Sequence, residues 1–248
     1  MKIIREPKIY LVGKQEVDSD EIKKFMDDNN ITWSTDTERG AELLSELSGR
    51  MCYMSFGERQ GRKTNKEYID NIVGSQHGSV LEHAVWNFII SGVSRSFTHE
   101  LVRHRAGWGY SQLSQRFVDE SETDFIEPDL ISDDKELHTM WMNCIENIIE
   151  DYTLLLEKLS EKVKEKYPDI SPTMKKKIAR QTARSILPNA TETKIFVTAN
   201  GRALRHFFEL RGSAAADIEI RKAAVAMLKI MKKEAPNIFD DYDIVTGE

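Results

Sequence analysis

Residues Glu100–Phe117 read ELVRHRAGWGYSQLSQRF. Arg103, Arg105 and Arg116 stand in this stretch, with His104 between the first two. Tyr110, Ser111, Gln112, Ser114 and Gln115 add hydroxyls and amides. A basic tripeptide is commonly just a solvated face. This one ends a segment with an apolar face and enters a glycine-containing loop. Guanidinium groups present fixed forks of donors to phosphates and planar carbonyls. Serines and loop amides complete an oxyanion cradle. The pattern suits a phosphorylated small molecule. Gly107 and Gly109 form neither a Walker nor a dinucleotide fingerprint, because no GK[ST] or GxGxxG follows.

Immediately upstream, HAVWNFIISGVS (His83–Ser94) predicts a strand with both faces largely covered. Ser94 then caps RSFTHELVRHR (Arg95–Arg105) as a helix. Phe97 and Leu101 pair on its apolar side, while Arg95, His99 and Arg103 share another side. Downstream, AGWGYSQ (Ala106–Gln112) reads as a loop and QRFVDE (Gln115–Glu120) as a returning strand.

Further out, KIYLVGK (Lys8–Lys14) is a strand. Short helices follow at DSDEIKKFMDDNN (Asp18–Asn30), AELLSELSGRM (Ala41–Met51) and NKEYIDNIVGSQHG (Asn65–Gly78), the last stopped by Gly74 or Gly78. One long helix is expected over Lys135–Lys166, with an apolar set that includes Leu137, Met140, Ile145, Tyr152 and Leu159. Ser171 and Pro172 start the next helix. TKIFVTAN (Thr193–Asn200) is a strand, and two helices separated near Gly212 complete the chain. The order is mixed, with few clean βαβ units. It predicts an α+β fold: a mixed sheet packed with helices, one of them long, in a single domain over 1–248.

The formal net charge of -6 argues against a general nucleic-acid binder. Cys52 and Cys144 lie far apart without CxxC spacing and read as reduced thiols. Charges interrupt every apolar run near the N-terminus, so no signal peptide is expected. The apolar runs are too short to span a bilayer. No metal site is expected, because HGSVLEH (His77–His83) lacks the HExxH spacing of a zincin. Its histidines read as structural, whereas Glu82, just before a buried-type strand, would be costly if unpaired. In TANGRALRHFFELRG (Thr198–Gly212), Asn200 caps a helix along which Arg202, His206 and Arg211 lie, with Phe207, Phe208 and Leu210 in the core. No GxSxG elbow or reactive cysteine motif is present, so an enzyme of this sequence would use a cofactor for its reactive chemistry.

These residues resemble the flavin-dependent thymidylate synthases. That family carries RHR, then a serine and, two residues on, an arginine; here they are Arg103-His104-Arg105, Ser114 and Arg116. The resemblance extends through HGSVLEH, ARSILPNATETKIFVTANGRALRHFFELR (Ala183–Arg211) and ADIEIRKAA (Ala216–Ala224), in the family's order. It implies conversion of dUMP to dTMP with FAD as hydride carrier, methylenetetrahydrofolate as carbon donor and NADPH as reductant. It also implies a cytoplasmic homotetramer whose active sites are shared between subunits.

Residue by residue, the resemblance implies a dUMP site of Glu100, Leu101, Val102, Arg103, Gln112, Leu113, Ser114, Gln115 and Arg116. Arg184 would reach in from a neighbouring subunit, and Arg211 would sit beside the pyrimidine as the catalytic group. Ser79, Arg103, His104, Arg105, Gln112, Asn200, Gly201, Arg202 and His206 would contact FAD. Two departures stand out. Eight residues, not seven, separate RHR from Ser114, and Ala215 replaces a histidine found in many relatives. A non-catalytic nucleotide- or flavin-binding protein on the same fold is the alternative reading.

Overall fold

The computed structural model describes residues 1–243. The first elements are β1 (Ile3–Ile4), β2 (Lys8–Lys14), α1 (Ser19–Asp28), α2 (Gly40–Tyr53) and α3 (Asn65–Gly74). Then come β3 (Val85–Ser94), α4 (Arg95–Leu101), β4 (Trp108–Gln112), β5 (Phe125–Ile126) and α5 (Asp129–Ser132). The remainder is α6 (Lys135–Lys166), α7 (Pro172–Ala183), β6 (Glu192–Asn200), α8 (Gly201–Arg211), α9 (Ile218–Glu234) and α10 (Pro236–Phe239). A four-stranded sheet has the order β2-β3-β6-β4, and β1 pairs with β5 in parallel, Ile3 beside Phe125. The architecture is α+β, as the sequence predicts.

The chain groups into two compact units, each assembled from separate stretches. Unit 1 holds Met1–Lys8, Ile90–Val102 and Ser111–Ile195; unit 2 holds Ile9–Ile89, Arg103–Tyr110 and the chain from Phe196 on.

In unit 1, α6 and α7 pack together as a helical hairpin. Asp134 caps α6 by accepting from the Glu136 and Leu137 amides, and Ser171 caps α7 through the Met174 amide, with Pro172 at its first turn. At about 1.5 Å per residue α6 is roughly 48 Å long. Ile145, Tyr152 and Val163 are its buried residues. Leu137 and Met140, expected on its apolar face, are 46% and 58% exposed. Ser94 Oγ accepts the Phe97 amide and starts α4, whose Phe97 and Leu101 are buried. The helix stops at Leu101, so Arg103 lies beyond it and does not continue the side holding Arg95 and His99.

Unit 2 has an aromatic and aliphatic core that includes Trp86, Phe88, Phe207, Phe208 and Phe239. It also buries charge. Glu46 Oε1 accepts from Arg50 Nε at 2.6 Å, and the Arg50 guanidinium lies 4.5 Å from the centre of the Tyr68 ring. Thr35, Asn65 and Trp33 donate the remaining bonds to Glu46. A buried carboxylate is tolerated because its acceptor sites are filled.

Three local expectations change. Trp86, Phe88 and Ile90 bury one side of β3, but Ile89 on the other side is 37% exposed, so that side is not covered throughout. The segment expected as a loop at 106–112 contains β4, which runs antiparallel to β6: Leu113 N–H bonds Lys194 O, and Asn200 N–H bonds Gly107 O. The segment expected as a strand at 115–120 is a turn instead, with Ser114 O accepting from the Phe117 and Val118 amides. Free edge donors beside β6 recruit the glycine-bearing segment, since pairing outweighs its weak strand propensity.

Candidate active site

The predicted residues fall into two groups, one in each unit. In unit 1, Arg95 opens α4 and donates from Nη2 to Leu113 O at 3.0 Å. Its Nε is buried and has no hydrogen-bond partner. The same holds for Arg116 Nε. Ser114 Oγ accepts the Arg116 amide at 3.3 Å and so sets the tight turn that carries Arg116. Gln112 Nε2 is held by the hydroxyls of Thr98 and Thr193. Buried donors are normally satisfied. Arg95 Nε and Arg116 Nε are exceptions in unit 1, and a charged guanidinium donor without a partner suits an oxyanion such as a phosphate.

Glu120 is 2% exposed, with Oε1 at 4.0 Å from Arg95 Nη2. Burial pushes its carboxyl up, and bonds from Thr123 and Gln115 together with the Arg95 charge partly offset this. Burial likewise pulls the Arg95 guanidinium down, and the nearby charge of Arg184 adds to that effect. Arg184 itself is exposed, in a 3₁₀ turn at Arg184–Ile186. Glu100 is half-buried and Val102 exposed, but the Leu101 side chain is fully buried in the core, leaving only its backbone for a ligand. Sequence reading assigned no ligand to Arg95. The available signal was its place directly after the Ser94 cap, on the side of α4 away from Phe97.

In unit 2, the middle residue of the RHR motif points inward. His104 is 8% exposed and Arg103 and Arg105 on either side of it are exposed. The His104 ring packs edge-on against Phe207 at 5.2 Å and lies 6.0 Å from Trp108 and 6.2 Å from His206. Tyr110 OH donates to His104 O at 2.6 Å and stacks on Trp108. Arg211 Nε donates to His104 Nε2 at 3.2 Å. Burial first, then the Arg211 and His206 charges, pushes the His104 imidazole down to about 4. It is therefore neutral at pH 7, with its proton on Nδ1 and its Nε2 lone pair toward Arg211.

A cleft of about 680 Å³ opens beside this group, lined in part by Gly78, Ala106, Gly107, Asn200, Arg202 and His206. Asn200 Oδ1 caps α8 by accepting the Ala203 amide, as expected. Gly107 has φ +75°, and a Cβ there would sit 2.6 Å from Asn200 Nδ2. Only glycine allows the turn and the cap to meet. A smaller cavity of about 280 Å³, lined by Cys52, His77 and Ser79, shares Gly78 and Arg202 with the cleft. Glu82 is exposed, not buried, and pairs with Arg202 at 2.6 Å. Leu210 is also exposed, at 49%, outside the core expected for it. The cleft thus gathers the predicted flavin residues Asn200, Arg202 and His206. Its volume suits a nucleotide-sized ligand, and its wall carries Asn200, Arg202, Arg205 and His206 beside the carboxylates of Glu82 and Glu209.

The fold is one that a solved nucleotide methylase shares. The chain superposes on the UMP/dUMP methylase PolB from Streptomyces cacaoi, solved with 5-Br dUMP, with TM-score 0.69, covering 97% of this chain and 96% of that one at 20% identity. Residues 35–237 match the family described as thymidylate synthase complementing protein, and the chain belongs to that family. The flavin-dependent thymidylate synthase of Mycobacteroides abscessus is 46% identical over 90% of this chain and 87% of its own length. The enzyme of the same name from Corynebacterium efficiens is 44% identical over 88% and 85%.

Proposed function

We propose that the protein is a flavin-dependent thymidylate synthase, converting dUMP to dTMP. The observation that carries this reading is its likeness to enzymes of that name across about nine-tenths of the chain, with Arg103-His104-Arg105, Ser114 and Arg116 all present. The flavin is FAD, NADPH is the reductant and methylenetetrahydrofolate gives the carbon.

Arg95 and Arg116, with their unpaired Nε atoms, bind the dUMP phosphate, and Ser114 orients Arg116. Glu100, Leu101, Val102, Arg103, Gln112, Leu113 and Gln115 complete the dUMP contacts, and Arg184 serves the site of a neighbouring subunit. Arg211 lies beside the pyrimidine. A cation there favours loss of the N3 proton, which enriches the ring carbon that receives the methyl group. His104 holds the Arg211 fork by its neutral Nε2. Asn200, Gly201, Arg202 and His206 hold the flavin together with Ser79, Arg103, His104, Arg105 and Gln112. When bound, FAD supplies hydride carriage from NADPH to the new methyl carbon. No thiol of the chain attacks the ring.

The chain works as a single domain over 1–248, of which the last five residues lie outside those described. It assembles as a homotetramer in the cytoplasm; among the described residues no helix is long and apolar enough to cross a membrane. The test is a product assay with dUMP, methylenetetrahydrofolate, FAD and NADPH. Formation of dTMP that requires all four is expected. FAD retention without dTMP would leave the non-catalytic reading. Light scattering checks the tetramer, and an active monomer at micromolar concentration would overturn it.

A further inference from the structure

The HGSVLEH turn is not accounted for by the chemistry above, apart from Ser79. Its Gly78–His83 segment forms a 3₁₀ helix with Val80 and Leu81 buried. Its two ends meet one side chain. A Cβ added to Gly78 would lie 3.8 Å from Cγ, Cδ and Nε of Arg202, so the arginine stem passes directly over the glycine. At the far end, Glu82 Oε1 accepts from Arg202 Nη1 at 2.6 Å. Gly78, Glu82 and Arg202 all line the 680 Å³ cleft.

Both partners of this ion pair are well exposed, Arg202 at 60% and Glu82 at 48% of the side chain. Such pairs add little to folding stability. The consequence of this one is directional. A guanidinium has five N–H donors in a rigid plane. Engaging one edge with Glu82 fixes where the other edge points, and the long stem loses rotamer freedom before any ligand arrives.

We infer that Glu82 is a positioning residue that presets Arg202 toward the anionic part of a flavin nucleotide in the cleft. This rests on the proposed flavin site. It gives Glu82 a role that neither burial nor metal binding provides.

The test measures the dissociation constant of FAD, from recovery of flavin fluorescence on serial dilution of holoenzyme. Wild type is compared with Glu82→Ala, Glu82→Gln, Arg202→Ala and the Glu82→Ala/Arg202→Ala double variant. Glu82→Ala should weaken FAD about threefold to fivefold, the reach of an exposed ion pair. Glu82→Gln keeps an acceptor oxygen and should stay within about twofold. Arg202→Ala should weaken FAD about tenfold or more, as for loss of a charge-assisted bond. In that background Glu82→Ala should add nothing, because non-additivity reports action through Arg202. Wild-type affinity in Glu82→Ala overturns the inference, and so does tighter binding, which would make Glu82 a competing charge. An additive double variant overturns it too. If wild type holds no FAD, or Arg202→Ala binds as wild type does, the flavin assignment of the cleft falls, and this inference falls with it.

Discussion

Arg211 Nε donates to His104 Nε2 at 3.2 Å, and the accepting ring is buried against Phe207. The bond exists only while His104 is neutral. An imidazolium has no lone pair to offer and would place a second cation against Arg211. The folded protein holds His104 at about 4, below the usual 6.5.

A pH dependence of stability follows. A group depressed on folding contributes stability above its unfolded pKa and loses it as pH falls toward the folded one. The unfolding free energy, from urea titrations, should therefore drop between about pH 6.5 and pH 4 through His104. His104→Gln keeps a polar side chain without a titrating ring. Its stability should fall by up to one proton's slope less over that window. Identical pH slopes in variant and wild type would show that His104 is not the titrating group.

Arg116 and Arg211 should fail in different ways. Removing a charge-assisted bond costs about 1.5–3 kcal/mol, roughly one to two decades of affinity. Arg116→Ala should weaken dUMP binding by that amount and discriminate less between dUMP and deoxyuridine. Arg95→Ala should behave alike. Both are read from substrate titrations at fixed enzyme.

Arg211→Ala should instead lose turnover at saturating dUMP, because stabilising the N3-ionised ring matters most in the transition state. FAD content, read from the flavin absorbance, should be retained. Wild-type turnover at saturating dUMP would reduce Arg211 to a binding residue.

Cys52 and Cys144 are both exposed free thiols. The proposed mechanism uses no thiol against the uracil, so Cys52→Ala and Cys144→Ala should each keep most activity. Loss of turnover with folding and flavin content intact would count against the mechanism.

The buried Glu46–Arg50 pair should matter to folding. Both side chains are almost fully inaccessible, at 0% and 1%. Arg50→Ala would strand an uncompensated carboxylate, for a cost of about 3–5 kcal/mol. Thermal melts should show this as a large drop in midpoint. Arg50→Ala/Glu46→Ala, which leaves no stranded charge, should recover part of it.

Much of the fold was legible in the sequence because its signals are local. Ser94 before Arg95, Ser171 before Pro172 and Asn200 before Gly201 announce helix starts through side-chain bonds that span three residues. The 3.6-residue pattern from about Lys135 to about Lys166 located α6, although Leu137 and Met140 of that pattern are exposed. The motif order also carried the family, since Arg103-His104-Arg105, Ser114 and Arg116 are chemical types in the family's order, with one residue more between RHR and the serine.

Tertiary structure decided the rest. Whether 106–112 loops or pairs depended on β6, more than eighty residues away, offering a free edge. Whether Glu82 is buried or paired depended on Arg202, at a separation of 120 residues. The direction of His104 depended on Phe207 and Arg211, and the value of Arg95 on being left with a buried, unpaired nitrogen. Burial, pairing and the protonation that follows from them are set by neighbours distant in the chain. A local pattern names the groups available for chemistry, and only folding fixes which of them lose water and which find a partner.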